Sequence, residues 1–311
     1  MSKVDFKVAL RAFAQARTDG KAPEFSRFDP SVWSRAVSKL VQRGDLELAA
    51  FAVRQMHEAW PALEWARNMD LLFGLMPPVD PTAPPFADDA QAAVQIVHRP
   101  GAQTALLVFC GATHDPGMPL LMLHRWLVRW PVTLIYLRDL KSLAYLGGLD
   151  PLGADLAATL DSLRRTVSEL GARRIVCCGP SIGGYGALRY SLELGAAATV
   201  IFSAMTNMDP SFNVGLHYAT SAQKLQAAFA SEILDLKELY LASDRAPAVF
   251  AVYAQHNWDD RLHAEHLADL DGVVPIQMRG VKSHNTTVDM IREGRFDALI
   301  SNALEAEAPG R

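Results

Sequence analysis

The stretch that most constrains this chain is Arg173-Arg174-Ile175-Val176-Cys177-Cys178-Gly179-Pro180-Ser181-Ile182-Gly183-Gly184-Tyr185-Gly186-Ala187-Leu188. A short apolar run leads into a glycine-rich turn with a serine at its tip, and small residues then open a helix. Gly179-Pro180-Ser181-Ile182-Gly183 fits G-x-S-x-G. The spacing has a physical purpose. A serine on a strained strand-to-helix turn projects its hydroxyl above the sheet, while glycines on both sides let strand and helix approach closely. The helix N-terminus then aims backbone N–H groups at the same space, where an oxyanion can sit. The competing reading is an ordinary turn whose serine caps the helix. Residues further along the chain weigh between the two.

From about residue 92 the pattern alternates strand and helix. Strands are expected at 94–98, 105–110, 132–137, 174–178, 199–203, 248–254 and 273–278, all short, apolar and mostly β-branched. Helices are expected between them at 120–129, 152–170, 183–194, 260–270 and 285–293. Such alternation implies an α/β fold, a doubly wound and mostly parallel sheet with helices on both faces. Ligands then bind beyond the C-terminal ends of the strands. Residues 205–245 interrupt the rhythm with an insertion holding a helix at about 221–239, preceded by Met205, Met208, Phe212, Leu216 and Tyr218. It either arches over the site or runs across the surface without touching it.

Before residue 77 the pattern is helical throughout, with helices expected at 2–17, 31–43 and 45–58 and a fourth after Pro61. The pair around Leu40 to Ala49 is similar to a tetratricopeptide-type hairpin. One such unit is visible where a solenoid needs several, so a helical cap on the main domain is preferred over a partner-binding module. Pro77, Pro78, Pro81, Pro84 and Pro85 block helix and strand alike. The chain is therefore expected to divide into a helical region at 1–76, a proline-rich linker at 77–91 and an α/β domain at 92–311.

Two further stretches bear on Ser181. His284, in Ser283-His284-Asn285, follows the last expected strand and so falls on the sheet edge that carries Ser181. An imidazole there can act as general base. The preceding strand runs into Gln255-His256-Asn257-Trp258-Asp259-Asp260, which offers two carboxylates to orient that imidazole; Asp260 has the competing role of helix N-cap. The order Ser, Asp, His, together with Gly179 to Gly186, resembles the α/β-hydrolase superfamily over residues 92–304. That resemblance implies Ser181 as nucleophile, His284 as base and Asp260 or Asp259 as the acid. It also implies an oxyanion hole from the Ile182 N–H and an N–H of the loop Cys110-Gly111-Ala112-Thr113, Gly111 or Ala112. The chain departs from the family pattern in having Ala254 where a glycine often ends the strand and Asn257 in the usual place of the acid. Its first oxyanion loop also has the single Gly111.

Composition narrows the remaining classes. Net charge is −4 with both signs interspersed, so no basic stripe points to nucleic acid or anionic lipid. Three cysteines form no disulfide framework and suit a reducing compartment. No apolar run approaches the ~20 residues of a spanning helix, and the N-terminus lacks a signal-like core; a soluble cytoplasmic protein is expected. His256, Asp259, Asp260, His263 and His266 crowd one stretch, but without H-E-x-x-H a helix carrying solvated histidines is preferred to a metal site. No cofactor is expected. The leading expectation is a serine hydrolase acting on an ester, thioester or amide of a small-molecule or acyl-type substrate. The alternative is a catalytically weak scaffold whose residues 1–76 hold a protein partner.

Overall fold

The N-terminal amphipathic runs fold as α1 (Lys3–Asp19), α2 (Pro30–Gln42), α3 (Leu46–Ala59) and α4 (Glu64–Leu75). The computed structural model describes residues 3–307; residue 2 of the first expected helix and the side chains of Val4 and Phe6 lie outside the described residues. Caps set the boundaries. The Asp29 carboxylate accepts from the Ser31 N–H at 2.8 Å with Pro30 at the first helical position, and Asp45 accepts from the Leu48 N–H at 3.4 Å. Phe13, Phe25 and Trp33 pack edge-on, and the Trp33 indole N–H donates to the Phe25 carbonyl at 3.2 Å. These helices form one of two compact units. It runs to Pro81 and also takes in residues 86–88 and 119–127, which include α5 (Leu120–Leu127).

The second unit holds the sheet. Its strands are β1 (Val94–Val97), β2 (Thr104–Phe109), β3 (Val132–Leu137), β4 (Arg174–Pro180), β5 (Ala198–Phe202), β6 (Ala248–Ala254) and β7 (Val273–Met278). They lie in the order β1-β3-β2-β4-β5-β6-β7, all neighbours parallel except the β1–β3 edge pair. This is a doubly wound, mostly parallel sheet, as the alternation of strand and helix in the sequence implies. At the centre Leu107 stands opposite Ile135 and Cys177, and Val108 opposite Tyr136 and Cys178. Both sets are buried, so both faces of the central strands are covered and their sequences read as continuous apolar runs rather than alternating ones.

Helices α6 (Leu156–Glu169), α7 (Ser181–Leu194), α8 (Ala219–Ala228), α9 (Leu236–Leu241), α10 (Trp258–Leu267), α11 (Thr286–Arg292) and α12 (Phe296–Glu305) complete the unit. Two expectations need correction. The single insertion helix at 221–239 is two helices, because residues 234–236 pair with residues 206–208. The Met208 N–H donates to the Leu234 carbonyl at 2.9 Å and the Leu236 N–H to the Thr206 carbonyl at 3.0 Å, while the Asp235 carboxylate caps α9. Tertiary pairing thus breaks a run that local propensity would continue. Helix α12 was not anticipated, although its buried Phe296, Leu299, Ile300 and Ala303 carry helical spacing.

Packing is tight where α7 leaves β4. A Cβ on Gly183 would lie 2.5 Å from the Cys110 carbonyl oxygen and 2.7 Å from that of Phe109. Backbone does not yield as a flexible side chain does, so Gly183→Ala is expected to destabilise by about 1–3 kcal/mol, as overpacking does. The measurement is the thermal midpoint by circular dichroism. Gly74→Ala, in α4 with open space around the glycine, should leave the midpoint unchanged or raise it slightly. A midpoint unmoved in Gly183→Ala contradicts this packing.

Candidate active site

Strand β4 runs on through Gly179 and Pro180, and α7 begins at Ser181 itself. Ser181 has φ +52°, the left-handed region that non-glycine residues adopt only when the surroundings demand it. The surroundings do. A Cβ on Gly179 would meet the Gly183 carbonyl oxygen at 2.6 Å, so the chain can turn this sharply only with glycine on both sides. The residue at the N-cap of α7 is Pro180, with no side-chain cap bond. The serine is therefore not spent as a cap, and the Ile182 N–H in the first turn is left without an intrahelical acceptor. Across from it, the loop after β2 offers two amides. The Gly111 N–H donates to the Asp115 carbonyl at 2.9 Å, whereas the Ala112 N–H has no acceptor among the described residues. Gly111, Ala112, Ser181 and Ile182 line one cleft of about 280 Å³.

The two candidate acids part company at α10. Its N-cap is Asn257, whose side-chain oxygen accepts from the Asp260 N–H at 3.3 Å. That cap places Asp260 inside the first turn, 2% exposed, with Oδ1 2.6 Å from His284 Nδ1. Its other oxygen is buried without a partner. Asp259 points elsewhere and accepts from the His217 N–H of the insertion at 3.0 Å. Of the pair, Asp260 alone meets His284. A carboxylate on Nδ1 fixes the proton there and leaves Nε2 as the acceptor.

The acceptor nitrogen faces Tyr218, which ends the apolar run ahead of the insertion helix. The Tyr218 hydroxyl lies 3.2 Å from His284 Nε2 and shares the cleft with Ser181. Among the described residues there is no direct Ser181–His284 hydrogen bond. Burial raises the Tyr218 phenol well above its ordinary pKa, as do the nearby Asp260 and Asp259 charges, while interaction with the Ser181 hydroxyl pulls it the other way. Met205, Met208, Tyr218 and Leu225 all line the cleft, so the insertion forms part of its wall. Nothing local in the sequence marks Tyr218. Its partners come from residues 37 and 66 positions away, and only the folded chain brings them together.

Two other polar residues of nearby loops, Asp139 and His114, have structural partners. Asp139 lines the cleft, but its carboxylate accepts from the Lys141, Leu143 and Tyr145 amides. His114 is not part of the lining, and its carbonyl accepts from Arg138 at 2.8 Å. The histidines expected to be solvated on α10 are not uniformly so. His263 is 1% exposed and its Nδ1 accepts from the Thr206 N–H at 3.1 Å; His266 approaches Asp235 at 3.3 Å; His256 is exposed. Among the described residues no group of three or more His, Cys, Asp or Glu side chains is placed to hold a metal ion.

No protein-family profile matches the chain, and no curated protein matches it in sequence. Solved structures do. An S-formylglutathione hydrolase from Agrobacterium tumefaciens is 13% identical over 68% of this chain and 89% of its own, with a TM-score of 0.43. Esterase B from Lactobacillus rhamnosis is 14% identical over 81% and 97%, with a TM-score of 0.48. MenH from S. aureus is 13% identical over 68% and 98%, with a TM-score of 0.47. No helix among the described residues is long and apolar enough to cross a membrane.

Burial holds the His263 pKa down at about 4, against an ordinary 6.5. His124, buried in the helical unit, is also held at about 4 by desolvation. Between pH 6.5 and 4 the unfolded chain therefore binds protons at these positions that the native chain does not. Stability is full above pH 6.5 and falls with pH through this window, each histidine contributing up to about 1.4 kcal/mol per pH unit. Urea unfolding at pH 7 and pH 5 should show the lower midpoint at pH 5, and the His263 ring resonances should not titrate between pH 8 and 5. A His263 resonance titrating near 6.5 contradicts its burial.

Proposed function

We propose that this protein is a serine hydrolase that cleaves an ester, thioester or amide through an acyl-serine. The observation that carries the reading is the 2.6 Å bond between buried Asp260 and His284 Nδ1. It is joined by a serine held at φ +52° at a helix N-terminus. In this reading Ser181 attacks the substrate carbonyl, and His284 takes the serine proton and returns it to the leaving group. Asp260 holds the imidazole in the required tautomer and stabilises its protonated form. The Ile182 and Ala112 N–H groups receive the oxyanion, Gly111 being engaged with Asp115. Water then releases the acyl group by the same steps.

The substrate class follows from the lining. Met205, Met208 and Leu225 give an apolar wall beside Ser181, and Asp139, Ser142, His217, Ser221 and Lys224 line the rest with polar and charged groups. A cleft of about 280 Å³ suits a small acyl group better than a bulky one. Cys110, Cys177 and Cys178 are buried thiols, which suits a reducing compartment, and we place the reaction in the cytoplasm.

The test is reaction with a fluorophosphonate followed by peptide mapping, alongside hydrolysis of short p-nitrophenyl esters. The adduct is expected on Ser181 and is lost in Ser181→Ala. Asp260→Asn should lower ester turnover by roughly 10³- to 10⁴-fold, the scale of losing the orienting acid. Asp259→Asn should change it only a few-fold, since that carboxylate serves the His217 amide. Folded protein that neither reacts at Ser181 nor hydrolyses any short ester removes this reading.

A further inference from the structure

The Tyr218 hydroxyl sits on His284 Nε2, the nitrogen that a general base would offer to Ser181. Its oxygen is 3.2 Å from His284 Nε2, and it shares the cleft wall with Ser181. The directions of the hydrogen bonds are fixed from one end. Asp260 takes the Nδ1 proton of His284, so Nε2 accepts. The only proton available to Nε2 from Tyr218 is the phenolic one, so the phenol donates. Its oxygen lone pairs are then free to receive the Ser181 proton.

We propose that Tyr218 is a catalytic residue that relays the serine proton to His284. This rests on the reading of Ser181 as nucleophile and His284 as base. As Ser181 Oγ bonds to the electrophilic centre, its O–H breaks and the proton passes to Tyr218 Oη. In the same step the phenolic proton passes to His284 Nε2, giving imidazolium beside the Asp260 carboxylate. The carbonyl π pair becomes the oxyanion. Tyr218 is neutral before and after, and no redox partner is needed. Collapse of the oxyanion reverses the path, and the imidazolium proton returns through Tyr218 to the leaving group.

The ring is held for this task. Tyr218 ends the loop that enters α8, and its carbonyl accepts from the Ala222 N–H at 2.9 Å. Its ring packs against His217, His263 and His284 with centroids 5.2, 6.0 and 6.1 Å away. Burial keeps the phenol protonated, as a donor to Nε2 must be.

Fluorophosphonate phosphonylation isolates the step, because fluoride leaves without needing a proton. Tyr218→Phe keeps the ring and removes only the relay. It is expected to lower the second-order phosphonylation rate by about 100-fold or more, the scale of a general acid–base contribution, with thermal midpoint unchanged. Wild-type phosphonylation in H₂O–D₂O mixtures should give a bowed proton inventory, two protons moving together; this needs no variant and stands if Tyr218→Phe misfolds. A Tyr218→Phe rate equal to or above wild type makes the tyrosine a bystander or a plug and overturns the relay while Ser181 labelling stands. A linear inventory overturns it too. Wild-type protein unlabelled at Ser181 removes the hydrolase reading and the relay with it.

Discussion

The structure depends on how closely α7 can approach the strands it springs from. Gly179 and Gly183 carry no side chain where one would strike backbone within 2.7 Å, and that closeness forces the turn in which Ser181 takes φ +52°. Local strain of this kind amounts to about 1–3 kcal/mol and persists only when the surroundings over-determine it. Here they do so through the end of β2, where the Phe109 carbonyl and that of Cys110 just beyond it lie against the same helix start. The same approach brings the uncapped N-terminus of α7 and the Ala112 loop to one cleft. The strained serine and the backbone amides that face it are thus consequences of a single packing constraint.

A second constraint orders the other side of the site. Asn257 works as a cap. By taking the Asp260 N–H it starts α10 before Asp260 and leaves that carboxylate to turn toward His284. Asp259, one residue earlier and so about 100° around the helix, turns to the insertion instead. Neighbours in sequence therefore have separate partners.

Much of this was legible in the sequence. The strands show because both sheet faces are buried, so each is an unbroken apolar run between turns. The elbow shows because few residues tolerate its geometry. His284 shows by its place after the last strand. The choice between Asp259 and Asp260 was not legible, because it depends on which residue caps α10. The broken insertion helix was not, because residues 234–236 are drawn to residues 206–208 by pairing across the fold. Burial of His263 was not, because it follows from Thr206 and Phe212 packing on a helix face whose own sequence is polar. Tyr218 escaped for the same reason: its neighbours are assembled only by folding.

The claim on which the functional account turns is that Asp260, His284 and the cleft around Ser181 act as one electrostatic unit. Proton NMR of the ¹⁵N-histidine-labelled protein reads it directly. The account predicts a far-downfield Nδ1–H resonance for His284, lost in Asp260→Ala and shifted when Ser181 is phosphonylated. Absence of that resonance in folded protein, or one indifferent to modification of Ser181, contradicts it.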